Sequence, residues 1–435
     1  MAPLAPRFDV TAPAVPLADL GHVHLIAIGG AGMSAVARLL LARGVTVSGS
    51  DAADSPTLEV LRSLGARVHV GHDADHLTGV DTVVVSSAIR DDNLELAAAR
   101  TMGLRVLHRS QALASLMAGS RRVAVAGANG KTTTTSMLVV ALEAAGADPC
   151  FASGGEIAQL GTNAAIGSGD AFVVEADESD GSFLAYRPDV AVVTNVQPDH
   201  LDYYGTAERV EQAYTEFVST VPADGLVVAC WDDPGSRRLA RAVRDRGRDV
   251  VTYGYRAGAD LQVLSTEPDG LGTRSPFVVA GVERILDLAV PGEHNVMDAC
   301  AAYLAAVEGL GAAADAVLVG LAGFAGARRR FEVRGEVGGV TVVDDYAHNA
   351  PKVAAVVGTP RQALWAFAGY AVLLLGAMVI ARVPAAYLLR RMIVELPFVV
   401  FAVLLPFIAV GPRVAVGPLS LSEAGLWGAW ALLSK

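Results

Sequence analysis

The stretch Val123-Ala-Val-Ala-Gly-Ala-Asn-Gly-Lys-Thr-Thr-Thr-Thr-Ser136, continued by Met137-Leu-Val-Val-Ala-Leu142, restricts the fold more than any other segment. A short apolar run ends in glycines, and a lysine with four threonines opens a second apolar run. The order predicts a buried strand, a tight loop and a helix start, the arrangement that cradles phosphates. Gly127, Asn129 and Gly130 would bring backbone N–H groups up to phosphate oxygens. Lys131 supplies a point charge, and Thr132, with Thr133 beside it, offers a hydroxyl to Mg²⁺. The full Walker spacing puts glycine where Val125 stands, so the match is to its second half. The plainer reading is a glycine turn before an ordinary amphipathic helix. Lys131 is one of only three lysines in the chain.

At 435 residues the chain is long enough for two or three domains, each with its own core. The net charge of −11 argues against a nucleic-acid partner, because no continuous basic surface would neutralise a phosphate backbone. Cys150, Cys230 and Cys300 lie far apart without ligand spacing and read as small buried residues in a reducing compartment. No charged start followed by an apolar core marks a signal peptide.

Apolar runs at 23–28, 45–48, 80–86, 123–126, 171–175, 190–195, 225–229 and 340–344 read as strands separated by helical stretches. That alternation predicts an α/β fold with parallel sheets covered on both faces. Gly30-x-Gly32-x-x-Ala35, with Asp51 about twenty residues on, matches a dinucleotide fingerprint in form, with the helix placed at 35–43. Glycine turns of this kind also serve other ligands. A second nucleotide loop a hundred residues later argues against a redox cofactor at the first.

The run 172–175 ends a strand on Glu175, followed by Asp177, Glu178 and Asp180. Strand ends in such sheets face the ligand crevice, so Glu175 is placed to hold a metal beside the phosphates. The next strand ends at Thr194-Asn195, ahead of Gln197-Pro-Asp-His200. His200 is a second candidate metal ligand, or orients a transferring phosphoryl group. Isolated acidic runs and histidines are usually solvated surface, but here each follows an apolar strand.

Seven segments then carry a family resemblance. Gly29-Gly-Ala-Gly-Met-Ser34, Gly127-x-x-Gly-Lys-Thr-Thr133, Glu175-Ala-Asp-Glu-Ser-Asp-Gly181, Asp199-His-Leu-Asp202, Pro291-Gly-Glu-His-Asn295, Arg328-Arg-Arg-Phe331 and Asp344-Asp-Tyr-Ala-His348 together resemble the Mur ligases. The resemblance covers about 21–359 and is greatest to members that join L-alanine to UDP-N-acetylmuramate in peptidoglycan synthesis. It implies a cytoplasmic enzyme using ATP and Mg²⁺, which phosphorylates a carboxylate and lets an amine attack the acyl phosphate.

By the resemblance, residues 1–118 form a Rossmann-like UDP-sugar domain, 119–325 a central ATP-binding domain, and 326–359 the start of a truncated third domain. Gly30, Ala31, Gly32, Met33 and Ser34 would wrap the UDP diphosphate, with Asp51, Ser86, Ser87, Thr162 and Asn163 also on the sugar nucleotide. Lys131, Glu175 and His200 would be catalytic, Thr132, Glu175 and His200 on the metals. Asn295 would read adenine, and Arg330, Asp345 and His348 would close over the nucleotide. One departure is Ala128-Asn129, where the alanine-adding members usually carry Thr-His.

After Thr359 the resemblance stops. Residues 364–380 and 396–410 are uncharged, with Arg382, Arg390 and Arg391 between them. Residues 360–435 read as an apolar helical tail, either core helices or a membrane contact through 364–410, and resemble the start of an energy-coupling-factor (cobalt-type) transporter membrane component. A three-arginine loop outside the membrane would oppose the positive-inside bias, so the tail is expected to be an unrelated piece joined near 359–361. Ligation would then be impaired. A non-catalytic nucleotide-binding or membrane-tethered module, and a related UDP-muramoyl peptide ligase, are the alternatives.

Overall fold

The computed structural model describes residues 8–10 and 12–327, and the backbone of four strands beyond them. The chain divides into two compact units, Met1–Asp345 and Tyr346–Lys435.

The first unit holds two large sheets. The N-terminal one takes β1 (Val23–Ile26), β2 (Val47–Asp51), β3 (Arg67–Val70), β4 (Thr82–Val85) and β5 (Arg105–His108) in the order β3-β2-β1-β4-β5, all parallel. Helices α1 (Ala31–Ala42), α2 (Pro56–Ser63), α3 (Leu94–Thr101) and α4 (Arg109–Leu116) follow β1, β2, β4 and β5. β1 and β4 are buried along their whole length, which is why they read as unbroken apolar runs.

The second sheet has eleven strands. It comprises β6 (Arg121–Ala126), β7 (Cys150–Ile157), β8 (Thr162–Ala165), β9 (Ala171–Glu175), β10 (Val190–Val193), β11 (Leu226–Cys230), β12 (Val250–Gly254), β13 (Leu261–Val263), β14 (Glu267–Asp269), β15 (Gly272–Val279) and β16 (Val282–Leu288). Its helices are α5 (Lys131–Ala144), α6 (Leu201–Tyr204), α7 (Ala207–Ser219), α8 (Pro234–Asp245), α9 (Glu293–Leu304) and α10 (Ala314–Ala322). Here the expectation of parallel sheets needs correction. β13 to β16 pair antiparallel around β15, and β8 is antiparallel to β7. The connections 270–271 and 280–281 each carry a left-handed glycine, Gly270 at φ 62° and Gly281 at φ 76°, the local geometry of hairpins rather than crossovers.

Helix α5 explains the apolar run after the lysine. Residues 134–142 are buried, with α5 packed against α9, α10 and the sheet. Each large side chain so buried contributes roughly 1.5–3 kcal/mol. All three cysteines are buried and unpaired, as expected.

Beyond 327, β17 (Glu332–Val337) pairs antiparallel with β18 (Val340–Asp344), so 340–344 is a strand, but in a hairpin rather than a parallel sheet. In the second unit β19 (Arg413–Val416) pairs antiparallel with β20 (Leu419–Ser422). The helical tail is corrected at that point: Leu419-Ser-Leu-Ser422 alternates with period two, a strand pattern. Residues 364–410 lie outside the described residues. Among those described, no helix is long and apolar enough to cross a membrane.

Candidate active site

The first unit holds two strand–glycine–helix junctions, one on each of its large sheets. At the second, register pairs Val125 with Glu175 and Ala126 with Val193, so β6, β9 and β10 end together. The loop between β6 and α5 is wired to those ends. Thr194 Oγ1 donates to Asn129 O at 2.6 Å, Asn195 Nδ2 donates to the same oxygen at 2.9 Å, and Asn129 N–H returns to Asn195 Oδ1 at 3.0 Å. Gly127 sits at φ +141° and a Cβ there would lie 2.0 Å from Thr194 Oγ1. Gly130 sits at φ +85°, and a Cβ there would lie 2.4 Å from an Asp298 carboxylate oxygen. Both positions therefore exclude a side chain.

Lys131 opens α5. Its ammonium donates to Gly127 O at 2.7 Å and to both Glu178 carboxylate oxygens at 2.8 and 3.0 Å. Glu178 is 2% exposed, and burial pushes its pKa up against the opposing pull of Lys131. His200 Nε2 lies 3.8 Å from the same carboxylate. His200 holds φ 51° ahead of α6, a left-handed conformation costing a non-glycine residue roughly 1–2 kcal/mol. Tyr204 OH donates to Glu178 O at 2.5 Å and helps to fix that segment. Thr132 is buried, Thr133 half-buried, and Thr134 Oγ1 donates to Asp298 Oδ1 at 3.0 Å.

Glu175, at the end of β9, accepts the Gly154 N–H at 2.8 Å through one oxygen. No group of three or more His, Cys, Asp or Glu among the described residues could hold a metal alone. Thr132 and Glu175 offer the hydroxyl and carboxylate oxygens that Mg²⁺ takes, its shell completed by phosphate and water. Asn295 is buried and donates to Pro291 O at 2.6 Å. Arg330, Asp345 and His348 lie outside the described residues.

At the first junction α1 begins at Ala31, four residues before the sequence expectation, so Ala31 to Ser34 form its first turn. Gly30 is the N-cap and no side chain caps the turn. Ala27, at φ 59°, turns the chain out of β1. Asp51 accepts the Gly29 N–H at 2.9 Å, which holds the loop against β2. Asn163 Nδ2 donates to Ala31 O at 3.1 Å, and Thr162 Oγ1 donates to Ala164 O at 3.0 Å. Ser86 is half-buried, whereas Ser87 Oγ donates to Asp180 and lies 3.1 Å from His108 Nε2.

Four residues that sequence reading left without a role complete this edge. Arg109 Nη2 lies 3.5 Å from Asp177, and His108 Nε2 lies 3.4 Å from Asp180. His108 ends β5 and caps α4, which Arg109 opens, while Asp177 and Asp180 come from the segment 175–181 that also carries Glu178. The acidic motif therefore joins the two junctions. One face of it meets Lys131, the other meets α4. Its density of carboxylates after a strand was visible in sequence, but its partners were not.

The Mur ligase family catalytic-domain model matches residues 22–121, and the Mur ligase middle-domain model matches residues 125–306. UDP-N-acetylmuramate–L-alanine ligase of Kineococcus radiotolerans is 59% identical over 348 residues, 79% of this chain and 74% of that protein. The chain belongs to the Mur ligase family. Among solved structures, UDP-N-acetylmuramate-alanine ligase from Thermotoga maritima is 30% identical with a TM-score of 0.69, covering 78% of this chain and 77% of that one. UDP-N-acetylmuramate:L-alanyl-gamma-D-glutamyl-meso-diaminopimelate ligase from Neisseria meningitides is 28% identical with a TM-score of 0.65, covering 71% of this chain and 100% of that one. The family matches take in both glycine loops and the acidic motif. The transporter-like reading of residues 360–435 finds no support in them.

Proposed function

We propose that this Mur ligase is an ATP-dependent acid–amino-acid ligase that joins L-alanine to UDP-N-acetylmuramate in peptidoglycan synthesis, in the cytoplasm. The observation that carries the reading is the pair of glycine-loop junctions linked by one acidic motif, in a chain 59% identical to an alanine-adding relative. Residues 1–118 serve the sugar nucleotide, 119–325 serve ATP, and 326–359 begin the domain that receives the amino acid.

The loop at Gly127 to Gly130 receives the ATP phosphates, since its backbone is clear of side chains and α5 presents its N-terminus there. Lys131 is held beside the loop and exchanges Glu178 for phosphate. Asn129, Thr132, Thr133 and Asn295 contribute further nucleotide contacts. Thr132, Glu175 and His200 are the residues that would hold Mg²⁺, which on binding neutralises phosphate charge. Ala31 to Ser34 offer first-turn N–H groups to the UDP diphosphate, with Ser86, Ser87, Thr162 and Asn163 along the sugar. Such a site works by positioning two anionic substrates and neutralising charge as the phosphoryl group moves to the carboxylate. Arg330, Asp345 and His348 are assigned the closing role.

The test is turnover of the purified chain with ATP, Mg²⁺ and UDP-N-acetylmuramate, with and without L-alanine. ADP formation that depends on the sugar nucleotide is expected. ADP formation indifferent to it, or none, contradicts the reading. Mass analysis for the alanine amide then reports whether residues from 326 onward complete the second step.

A further inference from the structure

A lysine ammonium carries three N–H donors, and each one of Lys131 meets an oxygen. Gly127 O lies at 2.7 Å, and the two Glu178 carboxylate oxygens lie at 2.8 and 3.0 Å. The bond back to Gly127 holds the ammonium beside the glycine loop, so Glu178 is brought to the loop as well. The pair is enclosed: the Lys131 side chain is 14% exposed and that of Glu178 2%. No donor is left over for a phosphate. Glu178 therefore makes, from within the chain, the contacts that phosphate oxygens would make with this lysine.

The surroundings of Glu178 leave its side chain, and not its backbone, free to give way. Tyr204 OH donates to the Glu178 carbonyl at 2.5 Å and anchors the main chain. Burial disfavours the charged carboxylate, with Asp177 adding to that push, and Lys131 is the cation that opposes it. His200 Nε2, 3.8 Å from Oε1 and 35% exposed, is the next partner within reach. A phosphate group carries more negative charge than a carboxylate and offers more acceptor oxygens, so it can take the lysine over.

We infer that Glu178 is a built-in competitor of the nucleotide phosphates: it occupies Lys131 until a phosphate displaces it, and so sets how tightly the loop binds ATP. The inference rests on the ATP reading given above and adds what the exchange at Lys131 costs the ligand. A chain that must open an internal pair before binding has its apparent affinity lowered by the fraction in which the pair is open. The penalty falls on ligands whose phosphates reach the lysine. ATP is held back most, ADP less, and adenosine not at all. Glu178 is thus a positioning residue that acts through Lys131.

Calorimetric titration of the full chain with ATP, ADP and adenosine, without added metal so that no turnover intervenes, tests this. In Glu178→Gln, ATP affinity is expected to rise about 10-fold and ADP affinity by less, with adenosine unchanged. Glu178→Asp keeps the charge on a shorter arm and should tighten ATP to a smaller degree. In a Lys131→Met background, adding Glu178→Gln should bring no gain, since there is no cation to free. Unchanged or weaker ATP binding in Glu178→Gln, or in Glu178→Asp should the first not fold, overturns the inference. So does an equal gain in the Lys131→Met background, which assigns the effect to simple repulsion. An unmodified chain that binds no adenine nucleotide removes the ATP reading itself, a result distinct from either.

Discussion

The two glycine loops share a plan and differ in how their charge is kept. At Gly127 to Gly130 the backbone holds two left-handed glycines, the carbonyl of Asn129 accepts two side-chain bonds, and Lys131 is matched by a buried carboxylate. At Gly29 to Ser34 the N-cap Gly30 is extended at φ −62°, the Gly29 N–H donates to Asp51 and Asn163 Nδ2 donates to Ala31 O. Its cation lies on another helix, beside Asp177 and within the field of Asp180 and Glu175. The first arrangement is rigid and balanced without ligand. The second borrows its cation from α4, and that cation is shared with the acidic motif.

The largest effect expected is at Lys131. Lys131→Ala should lower ATP-dependent turnover on the order of 10³-fold, as loss of a donor to developing charge does. It also leaves Glu178 buried without its cation, costing about 3 kcal/mol in urea unfolding. The double variant with Glu178→Gln should recover most of that stability and none of the turnover. Recovery of turnover would break the comparison, because the lysine would then serve only its pair.

Next in size is an acid sensitivity centred on Glu95 of α3, beside the first sheet. Burial pushes the Glu95 carboxyl up, but the His24 imidazole 3.6 Å away and hydrogen bonds from Ser50 and His76 outweigh it and bring its pKa down to about 2, from 4.5. A depressed carboxylate contributes stability above the unfolded value that is lost as pH falls toward the folded one. The shift corresponds to about 3 kcal/mol, of which about 2 kcal/mol should be gone by pH 3. Urea unfolding at pH 6 and pH 3 should show that loss in the unmodified chain and not in Glu95→Gln. An equal loss in both would detach the pH dependence from this carboxylate.

Glycine replacements separate the loops directly. Gly130→Ala combines a left-handed backbone with a 2.4 Å approach to Asp298, and should cost about 1–2 kcal/mol together with ADP binding. Gly32→Ala meets only the far end of Arg109, so a cost below about 1 kcal/mol is expected, with ADP binding intact and UDP binding weakened. Equal destabilisation in the two variants would erase the distinction between a rigid and an open loop.

What sequence could reveal follows the same division. The strand at 171–175 and the loop before Lys131 were legible because burial on both faces leaves an unbroken apolar run and the phosphate loop needs fixed residue types. Lys131's partner was not, because Glu178 lies 47 residues away and a carboxylate after a strand has no periodicity. Arg109 was hidden for the same reason: it follows β5, and only the packing of α4 on α1 brings it to Gly32. The start of α1 was placed too late because Gly-Ala-Gly reads as a loop, although glycines without side chains can form the first turn of a helix. The antiparallel edge from β13 to β16 was missed because its short strands sit between turn glycines rather than helices.

The most direct test is sequential calorimetry on one sample: UDP-N-acetylmuramate to saturation, then ADP, then the reverse order. One molecule of each per chain, bound in either order without displacement, is the result predicted for two separate anion sites. Competition between the two ligands for a single site would contradict the account.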